Sequence, residues 1–469
     1  MNPFPAGFRW GVTTSSFQIE GAVKQDGRGE SVWDMFARRQ GVIAGNGNAD
    51  VACDHYNRWQ EDIGWLGQLG VNSYRLSIAW PRILPEGTGH VEQRGLDFYD
   101  RLVDRLLDKG IEPWVCLFHW DYPLSLFHRG GWLNRDSARW FAGYAEIVVR
   151  RLSDRVTRWI TYNEPQVFIS EGHYWGRHAP GLQLPWKEVL LAAHHAFLGH
   201  GYAVSAIRSS AVKKPFVGYA PAGPVSLPVS NTAEDIAIAY AESCALTHAS
   251  LWNMASWLDP VILGHYPPNS VAIFGDAVPT PAAGDFEVIA QPLDFLGLNL
   301  YWGPRVDAKH RGPDAIWHQP VDTPRTAFGW AITPDIMHWG PRFMAKRYNL
   351  PIVVTENGIS CLDSIATDGR VHDMARVDFI TRHLAMLRSA MTAGVDIRGY
   401  FHWTMLDNFE WADGYKQRFG LLYTDYASGT RTPKDSFHHY HDIIADSGAG
   451  VLAQQAGIVE PNGWETLQL

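Results

Sequence analysis

The stretch VTRWITYNEPQVF, residues 156–168, joins an apolar run to a polar stop. Its first half is rich in β-branched and aromatic residues, which favour an extended, half-buried strand. The run then ends at Asn163, Glu164 and Pro165. Because a carboxylate beside an apolar strand is costly unless a partner compensates it, Glu164 is either an ordinary loop charge or a functional group. The segments on either side of this stretch decide between the two interpretations.

Similar apolar runs recur along the whole chain. Together with the run above they give eight strand candidates: 8–17, 72–80, 112–120, 155–163, 215–221, 294–302, 351–357 and 398–405. Helical patterns lie between them, such as 95–110, where apolar residues recur at steps of three and four and Gly110 provides the stop. The other helical patterns cover 137–152, 187–210 and 374–394. Strand followed by helix, repeated along the chain, predicts parallel strands joined by crossovers.

Eight such units predict an α/β protein built as a single (β/α)8 barrel with extended βα loops. A doubly wound open sheet is the structural alternative, but no GxGxxG motif follows an early strand. The longest connections are 222–293, 303–350 and the acidic, aromatic loop 406–426. We expect residues 1–445 to form the barrel domain, followed by an irregular C-terminal tail over 446–469.

Composition excludes several classes of protein. The chain has 469 residues, of which 46% are hydrophobic and 19% charged, which is typical of a protein with a large core. A formal charge of -9 without any Lys/Arg-rich run argues against a nucleic-acid partner. No stretch approaches the roughly 18 apolar residues of a membrane span, and the N-terminus lacks the pattern of a signal peptide. We therefore expect no membrane association and a cytoplasmic location; nothing in the sequence indicates the oligomeric state.

Cysteine and histidine positions argue against a metal site. The four cysteines are far apart and form no CxxC pair, so neither a zinc site nor a disulfide framework is predicted: Cys53, Cys116, Cys244 and Cys361. The 20 histidines raise the alternative of a metal-dependent barrel hydrolase. However, the first strand carries no paired histidines, and His194 and His195 lie within a helical pattern. We expect no metal and no cofactor.

Two carboxylates follow equivalent strands of the predicted barrel. Asn163 and Glu164 end the fourth strand, and Glu356 and Asn357 end the seventh. A single glutamate in such a place is more often a loop charge in a salt bridge. Since catalytic groups of a barrel gather at the carboxyl ends of its strands, the fold would bring this pair together. Paired carboxylates around a cleft are what glycoside hydrolysis requires.

The other strand ends are typical of a sugar pocket. They combine polar groups that can bind hydroxyls with flat aromatic faces: Gln18, His119, Trp120, Asn299, Tyr301 and Trp403. Arg75, on the second strand, is a candidate partner that would keep a nearby carboxylate ionised. The 21 tryptophans of the chain have two explanations, core filling or a surface for sugar rings, and composition does not separate them.

Six motifs carry a family resemblance. They are FRWGVTTSSFQIEGA, LFHWDYP, TYNEP, LGLNLYW, VTENG and LDNFEWADGYKQRFGL. In this order, from about Phe8 to Tyr440, they resemble the family 1 glycoside hydrolases, the β-glucosidase and β-galactosidase group. Any one of these short matches is weak, whereas six in register along the chain are very specific.

The resemblance implies roles for individual residues. Glu164 would be the general acid/base and Glu356 the nucleophile. The hydroxyls of the cleaved sugar would be held by Gln18, His119, Asn163, Trp403, Glu410 and Trp411. Asn299 and Tyr301 would line the same pocket, with Tyr301 donating a hydrogen bond to the nucleophile. Trp330 resembles a position on the aglycone side, and Phe419 one in the pocket wall.

The activity implied is that of a retaining β-glycosidase. It would release terminal non-reducing β-D-glucosyl residues, and galactosyl or fucosyl residues as well, from small β-glycosides or oligosaccharides, including fragments of cellulose. Arg75 and Tyr301 would keep Glu356 ionised, while the nearby anion would keep Glu164 protonated. Retention requires the two carboxyl groups to lie roughly 5 to 5.5 Å apart.

Two alternatives share the same barrel. A 6-phospho-β-glycosidase would replace Glu410 within a phosphate-binding loop, and an idle sugar-binding protein would usually lack one of the two glutamates; this chain keeps all three residues. Departures from the family pattern are Tyr122, Glu30 and Leu300. None removes a catalytic group, but Tyr122 and Glu30 are predicted to alter the pocket rim and so the leaving-group preference.

Overall fold

The computed structural model describes residues 4–309 and 322–450. Eight parallel strands close into a barrel in the order β1-β8-β7-β6-β5-β4-β3-β2. Their bounds are Arg9–Thr13 (β1), Ser73–Ser77 (β2), Glu112–Phe118 (β3), Arg158–Asn163 (β4), Phe216–Ala220 (β5), Phe295–Asn299 (β6), Ile352–Asn357 (β7) and Ile397–Trp403 (β8). Gly11 of β1 pairs with both Ser73 and Phe401, which closes the barrel. The predicted (β/α)8 barrel is confirmed, and an open sheet is excluded.

A long helix follows every strand. The bounds are His55–Leu69 (α1), Gln93–Asp108 (α2), Ser137–Leu152 (α3), Trp186–Ser210 (α4), Ala233–Cys244 (α5), Ile336–Tyr348 (α6), Met374–Thr392 (α7) and Asp435–Ala445 (α8). The four helices predicted from periodicity correspond to α2, α3, α4 and α7, with ends that differ by two residues or fewer. The helical periodicity of the sequence therefore correctly predicted helices that pack on a buried sheet.

Strand ends were the weaker part of the sequence prediction. The first candidate, 8–17, extends too far, because β1 stops at Thr13 and Ser16–Ile19 is a helical turn. The Ser16 N–H bonds to Ser77 Oγ at 2.8 Å, so the chain leaves the barrel ladder there and crosses to β2. This turn carries Gln18 to the mouth of the barrel.

The long connections contain structure of their own. Short helices and helical turns cover Val32–Ala37, Trp80–Ile83, Leu124–Phe127, Pro165–Ile169, Ser170–Tyr174, Met254–Leu258, Asp259–Leu263, Ser270–Phe274, Asp285–Ile289 and Trp411–Asp413. Leu227–Pro228 pairs with Arg305–Val306, and Leu422–Thr424 with Arg431–Pro433. Part of the predicted loop 303–350 and, from residue 451, the predicted tail lie outside the described residues, so the boundary at 445 stays a prediction. None of the helices in the described ranges is long and apolar enough to cross a membrane.

The barrel interior below the mouth is filled by side chains. One cluster is formed by Trp114, Cys116, Ile160, Ala220, Phe295, Val353 and Phe401, all nearly inaccessible to solvent. Trp114 contacts the rings of Phe295 and Phe401 at 5.3 and 5.2 Å between centroids. This close-packed cluster fills the barrel interior below the residues of the mouth.

The tryptophans occupy two kinds of position, in the core and at the carboxyl ends of barrel strands. Among the described residues, six tryptophans are fully buried: Trp33, Trp80, Trp114, Trp159, Trp257 and Trp339. Others follow barrel strands at the mouth, among them Trp120 after β3 and Trp403 at the end of β8.

Candidate active site

Glu356 lies near the end of β7 with two donors on its carboxylate. Arg75 Nη1, from β2, donates to Oε1 at 2.5 Å, and the Tyr301 hydroxyl donates to Oε2 at 2.7 Å. The side chains of Glu356 and Arg75 are almost completely buried. A buried carboxylate that accepts two such bonds is stabilised in its ionised form and held in one orientation.

Glu164 lies just past β4, in an unusual backbone conformation. Its φ is 45°, in the left-handed region that most residues avoid, and Pro165 begins a short helix directly after it. The Glu164 N–H bonds to the Ala220 carbonyl at 2.8 Å, which ties this turn to β5. Asn299 Nδ2 donates to Glu164 Oε1 at 2.8 Å. In contrast to Glu356, this carboxyl accepts from no arginine in the part of the chain that the structure describes.

Asn163 links the surroundings of the two carboxyls. Its Oδ1 accepts from Arg75 Nη2 at 2.6 Å and from Asn299 Nδ2 at 2.9 Å. The path therefore runs from Glu356 through Arg75, Asn163 and Asn299 to Glu164. Every member is buried, so the positions of both carboxyls depend on one hydrogen-bonded network.

The two carboxyls differ in their tendency to ionise. Burial raises the pKa of Glu164 well above its ordinary value, and the charge of Glu356 raises it further. Burial also raises the pKa of Glu356, but Arg75 and the Tyr301 hydroxyl oppose this effect. Glu356 is therefore the first of the pair to lose its proton, and Glu164 retains its own to higher pH.

A polar corner is formed by Gln18 and the loop after β8. Gln18 Nε2 donates to the Phe409 carbonyl at 2.9 Å and lies 3.4 Å from Glu410 Oε2. Burial raises the pKa of Glu410 to about 8, with contributions from the charges of Asp413 and Glu356. The raised pKa of Glu410 favours the protonated form of its carboxyl in the free protein. In that form the carboxyl can donate as well as accept a hydrogen bond.

Aromatic rings line the same side of the pocket. The His119 imidazole lies nearly parallel to the rings of Trp403 and Trp411, each 5.9 Å away between centroids. Trp120 packs on Trp411 at 4.5 Å, and its indole N–H donates to the Asn163 carbonyl at 2.9 Å. Trp120 and Trp411 have φ values of 78° and 48°. Both tryptophans thus share the left-handed backbone of Glu164.

His119 is a neutral donor in this arrangement. Burial lowers the pKa of His119 well below its ordinary value, and the positive charge of Arg75 acts in the same direction. Nε2 accepts a hydrogen bond from Asn163 Nδ2 at 3.1 Å, so the imidazole hydrogen is on Nδ1. Nδ1 is buried and has no hydrogen-bond partner within residues 4–309 and 322–450. A ligand hydroxyl would satisfy it.

Comparisons with known proteins agree with this geometry. The family described as Glycosyl hydrolase family 1 matches residues 1–449. The chain belongs to this family. It is 42% identical to β-glucosidase A of Thermotoga maritima over 95% of this chain and 98% of that protein. It is 41% identical to a 1,4-β-D-glucan glucohydrolase of Thermotoga neapolitana, over 96% of this chain and 99% of that one.

A solved structure extends the likeness to three dimensions. The T. maritima β-glucosidase in complex with glucoimidazole superposes with a TM-score of 0.87 at 41% identity, covering 95% of this chain and 99% of that chain. At this level of identity the family barrel and its mouth are shared features rather than a convergence of fold.

The remaining predicted residues of this glycosyl hydrolase, Trp330 and Phe419, lie in the loops after β6 and β8. Trp330 lies 5.2 Å from the Tyr301 ring and 6.1 Å from that of Phe419. Phe328, which sequence reasoning missed, stacks on Trp330 at 4.5 Å. The sequence FGW could have indicated Phe328, because this aromatic residue lies two positions before Trp330. The predicted site residues therefore lie at or near the carboxyl ends of the barrel strands or in the loops that follow them.

A buried ionic cluster supports the family loops, and sequence reasoning also missed it. Lys434 Nζ donates to Asp363 Oδ2 at 2.6 Å and to Asp407 Oδ1 at 2.7 Å, and its side chain is fully buried. Arg376 donates to the same Asp363 at 2.8 Å. Asp363 follows β7 and Asp407 follows β8. The cluster therefore fixes the loop after Glu356 to the loop that carries Glu410.

Of the departures from the family pattern, Tyr122 and Leu300 are buried, whereas the predicted effect of Glu30 on the pocket rim stays a prediction. Tyr122 is 3% exposed and packs on Trp80 and Trp132, so its prediction as a rim residue is wrong. Leu300 is fully buried. Glu30 is exposed and pairs with Arg38. Within the described residues no group of three or more His, Cys, Asp or Glu side chains could hold a metal ion.

Proposed function

We propose that this family member is a retaining β-glucosidase that releases terminal non-reducing β-D-glucosyl residues. Glu356 is the nucleophile and Glu164 the general acid/base. The observation that carries this proposal is the contrast between the two buried carboxyls. Arg75 and Tyr301 bond to Glu356, whereas Glu164 has an amide donor and remains protonated to higher pH. One carboxyl is ready to attack, and the other is ready to donate a proton.

The reaction follows from this difference in charge. The Glu356 carboxylate attacks the anomeric carbon, and the leaving oxygen takes the proton of Glu164 as its bond breaks. The product of this step is a covalent glycosyl-enzyme with an inverted anomeric centre. Glu164, now ionised, removes a proton from a water molecule that attacks the same carbon. The second inversion restores the original configuration and frees Glu356.

Substrate recognition is assigned to two groups of residues, one around Trp403 and Trp411 and the other around Trp330 and Phe419. The glucosyl ring lies against Trp403 and Trp411, and its hydroxyls bond to Gln18, His119, Asn163 and Glu410. The unpartnered Nδ1 of His119 and the raised pKa of the Glu410 carboxyl support these assignments. Trp120, Asn299 and Tyr301 complete the pocket around the cleaved bond. Phe419 and Trp330 contact the aglycone.

The alternatives are less consistent with this site. A 6-phosphoglycoside would bring a dianion towards the charges of Glu356 and Asp413, in a corner whose bonded donor is the Gln18 amide. An idle sugar-binding protein has no need for Arg75 and Tyr301 to keep one of two buried carboxyls ionised. Both alternatives predict no turnover of an unphosphorylated glucoside.

Substrate source and location form part of the proposal. The likeness to a glucan glucohydrolase supports cello-oligosaccharides, the soluble fragments of cellulose, as substrates. The four cysteines are all unpaired, which supports a reducing, cytoplasmic location. Cell fractionation tests the location. A panel of nitrophenyl glucoside, galactoside, fucoside and 6-phosphoglucoside tests the sugar preference.

The decisive experiment removes the nucleophile. We expect Glu356→Ala to abolish hydrolysis of nitrophenyl β-D-glucoside, since no covalent intermediate can form. Added azide should partly restore cleavage and give the α-glucosyl azide, with inverted configuration by NMR. Glu112→Ala is the control, since this partly buried glutamate pairs with Arg9 and Arg158 at the opposite end of the barrel. Full activity of Glu356→Ala without azide would refute the assignment.

A further inference from the structure

The chain beyond Glu164 leads to an exposed tryptophan. Two successive five-residue helical segments, Pro165–Ile169 and Ser170–Tyr174, connect Glu164 to Trp175, which is 50% exposed. Ten residues, five in an α-helical and five in a π-helical segment, separate Glu164 from Trp175 along the chain. Trp175 is not a member of the hydrogen-bonded network that joins Glu164 to Glu356.

The loop that carries Trp175 borders the sugar pocket. Three residues later the His178 imidazole packs on the Trp120 ring at 5.8 Å and on the Trp33 ring at 5.2 Å. Trp120 in turn packs on Trp411. Ring contacts are thus continuous from Trp411 through Trp120 to His178, and Trp175 lies three residues before His178 on the same loop.

Trp175 is held in place by its neighbours. The edge of the Tyr174 ring contacts it at 4.8 Å, and Tyr174 itself stacks on Trp186 at 4.2 Å. A single exposed aromatic residue is ordinary on a protein surface. An aromatic side chain that is already ordered, such as Trp175, is a better binding surface, because it loses little conformational entropy when a ligand binds.

A charged group is fixed beside this tryptophan. The Arg177 guanidinium lies 5.8 Å from the Trp175 ring. Its Nε donates to Glu171 Oε2 at 2.8 Å, and its Nη2 forms an ion pair with the same oxygen at 2.7 Å. The Glu171 side chain is 8% exposed, whereas that of Arg177 is 67% exposed. Glu171 thus anchors an arginine whose remaining N–H groups face solvent.

We propose that Trp175 and Arg177 form an outer subsite for a distal glucosyl unit of a β-linked gluco-oligosaccharide. The flat indole face stacks on the apolar face of the pyranose ring, and the guanidinium donates to its hydroxyls. The proposal rests on the β-glucosidase activity proposed above and extends it to substrate length. The enzyme acts on soluble oligosaccharides in preference to disaccharides.

Chain-length kinetics test the subsite. In the unaltered enzyme kcat/KM should rise from cellobiose to cellotetraose. Trp175→Ala should lower kcat/KM about tenfold on cellotetraose and leave nitrophenyl glucoside and cellobiose unchanged within about twofold. Trp175→Phe, which keeps a flat ring, should restore most of the loss. Trp140→Ala is the matched control, because Trp140 also carries a stacked arginine, Arg129 at 4.2 Å, but lies on the outer helix α3.

Binding gives a readout that does not depend on turnover. By calorimetry, Glu356→Ala should bind cellotetraose about tenfold more tightly than the double variant that also carries Trp175→Ala. An equal loss on cellobiose and cellotetraose, or no loss on either, would overturn the subsite. So would self-association that Trp175→Ala abolishes, since this would assign Trp175 to a protein contact. If the enzyme turns over no glucoside, the proposed function fails, but the calorimetric difference still decides the subsite.

Discussion

Replacing Tyr301 with phenylalanine should move one limb of the pH–activity profile and leave the other in place. The Tyr301 hydroxyl donates to Glu356 Oε2 at 2.7 Å, and this bond favours the ionised carboxylate. A hydrogen bond to a charged group contributes about 1.5–3 kcal/mol. Its loss raises the pKa of Glu356, so that a higher pH is needed to ionise the nucleophile. The acid limb should therefore move upward by about 1–2 pH units.

The alkaline limb should stay where it is. That limb reports the proton on Glu164, which is lost only after Glu356 is already ionised. The measurement is kcat/KM on nitrophenyl β-D-glucoside across the pH range, since this ratio follows the free enzyme. Tyr440→Phe is the control, because it also removes a buried hydroxyl bond, to the Gly11 carbonyl at 2.9 Å, outside the pocket. An unmoved acid limb, or an equal movement of both limbs, would refute the assignment of Glu356 as the group ionised first.

Three further predictions concern the acid, the geometry and the loops. Glu164→Ala should hydrolyse ordinary alkyl glucosides about 100-fold or more slowly yet cleave dinitrophenyl glucoside rapidly in the first step, because that leaving group needs no proton. Equal losses on both substrates would argue against an acid role. A crystal structure should place the Glu164 and Glu356 carboxyl groups roughly 5 to 5.5 Å apart, and a separation near roughly 8 Å would contradict retention. Lys434→Ala should lower the free energy of unfolding by about 3–5 kcal/mol in denaturant titrations, because one buried carboxylate charge is left uncompensated, although Arg376 and Arg418 still pair with Asp363 and Asp407. Lys416→Ala, at an exposed position, should change it by less than about 0.5 kcal/mol.

The barrel was predictable because its pattern is local and repeated. Each strand is an apolar run, and each helix a run with regular spacing, so eight weak signals reinforce each other. The ends of the strands were harder to predict. The turn at Ser16 depends on a hydrogen bond to Ser77, which lies on another strand. The sequence around Ser16 therefore does not predict this contact.

The site was predictable in its members but not in its connections. Glu164 and Glu356 stand out because both end apolar strands. The bonds from Arg75 and Asn299 to Asn163 require the closed barrel, since these residues are distant in sequence. Lys434 was missed for a similar reason, because a buried lysine has the same sequence signal as an exposed one. Tyr122 was misplaced on the rim, because sequence does not indicate which way a loop side chain points.

Backbone conformation links the pocket to the heat tolerance of the molecule. Trp120, Glu164 and Trp411 have positive φ values without being glycine, and each such residue costs on the order of 1–3 kcal/mol. Glycine would relieve this strain at every one of the three positions, but it would also remove a side chain that the pocket needs. Selection for thermal stability alone would therefore favour changes here that reduce turnover. Stabilising substitutions compatible with activity belong on the outer faces of the helices, away from these three turns.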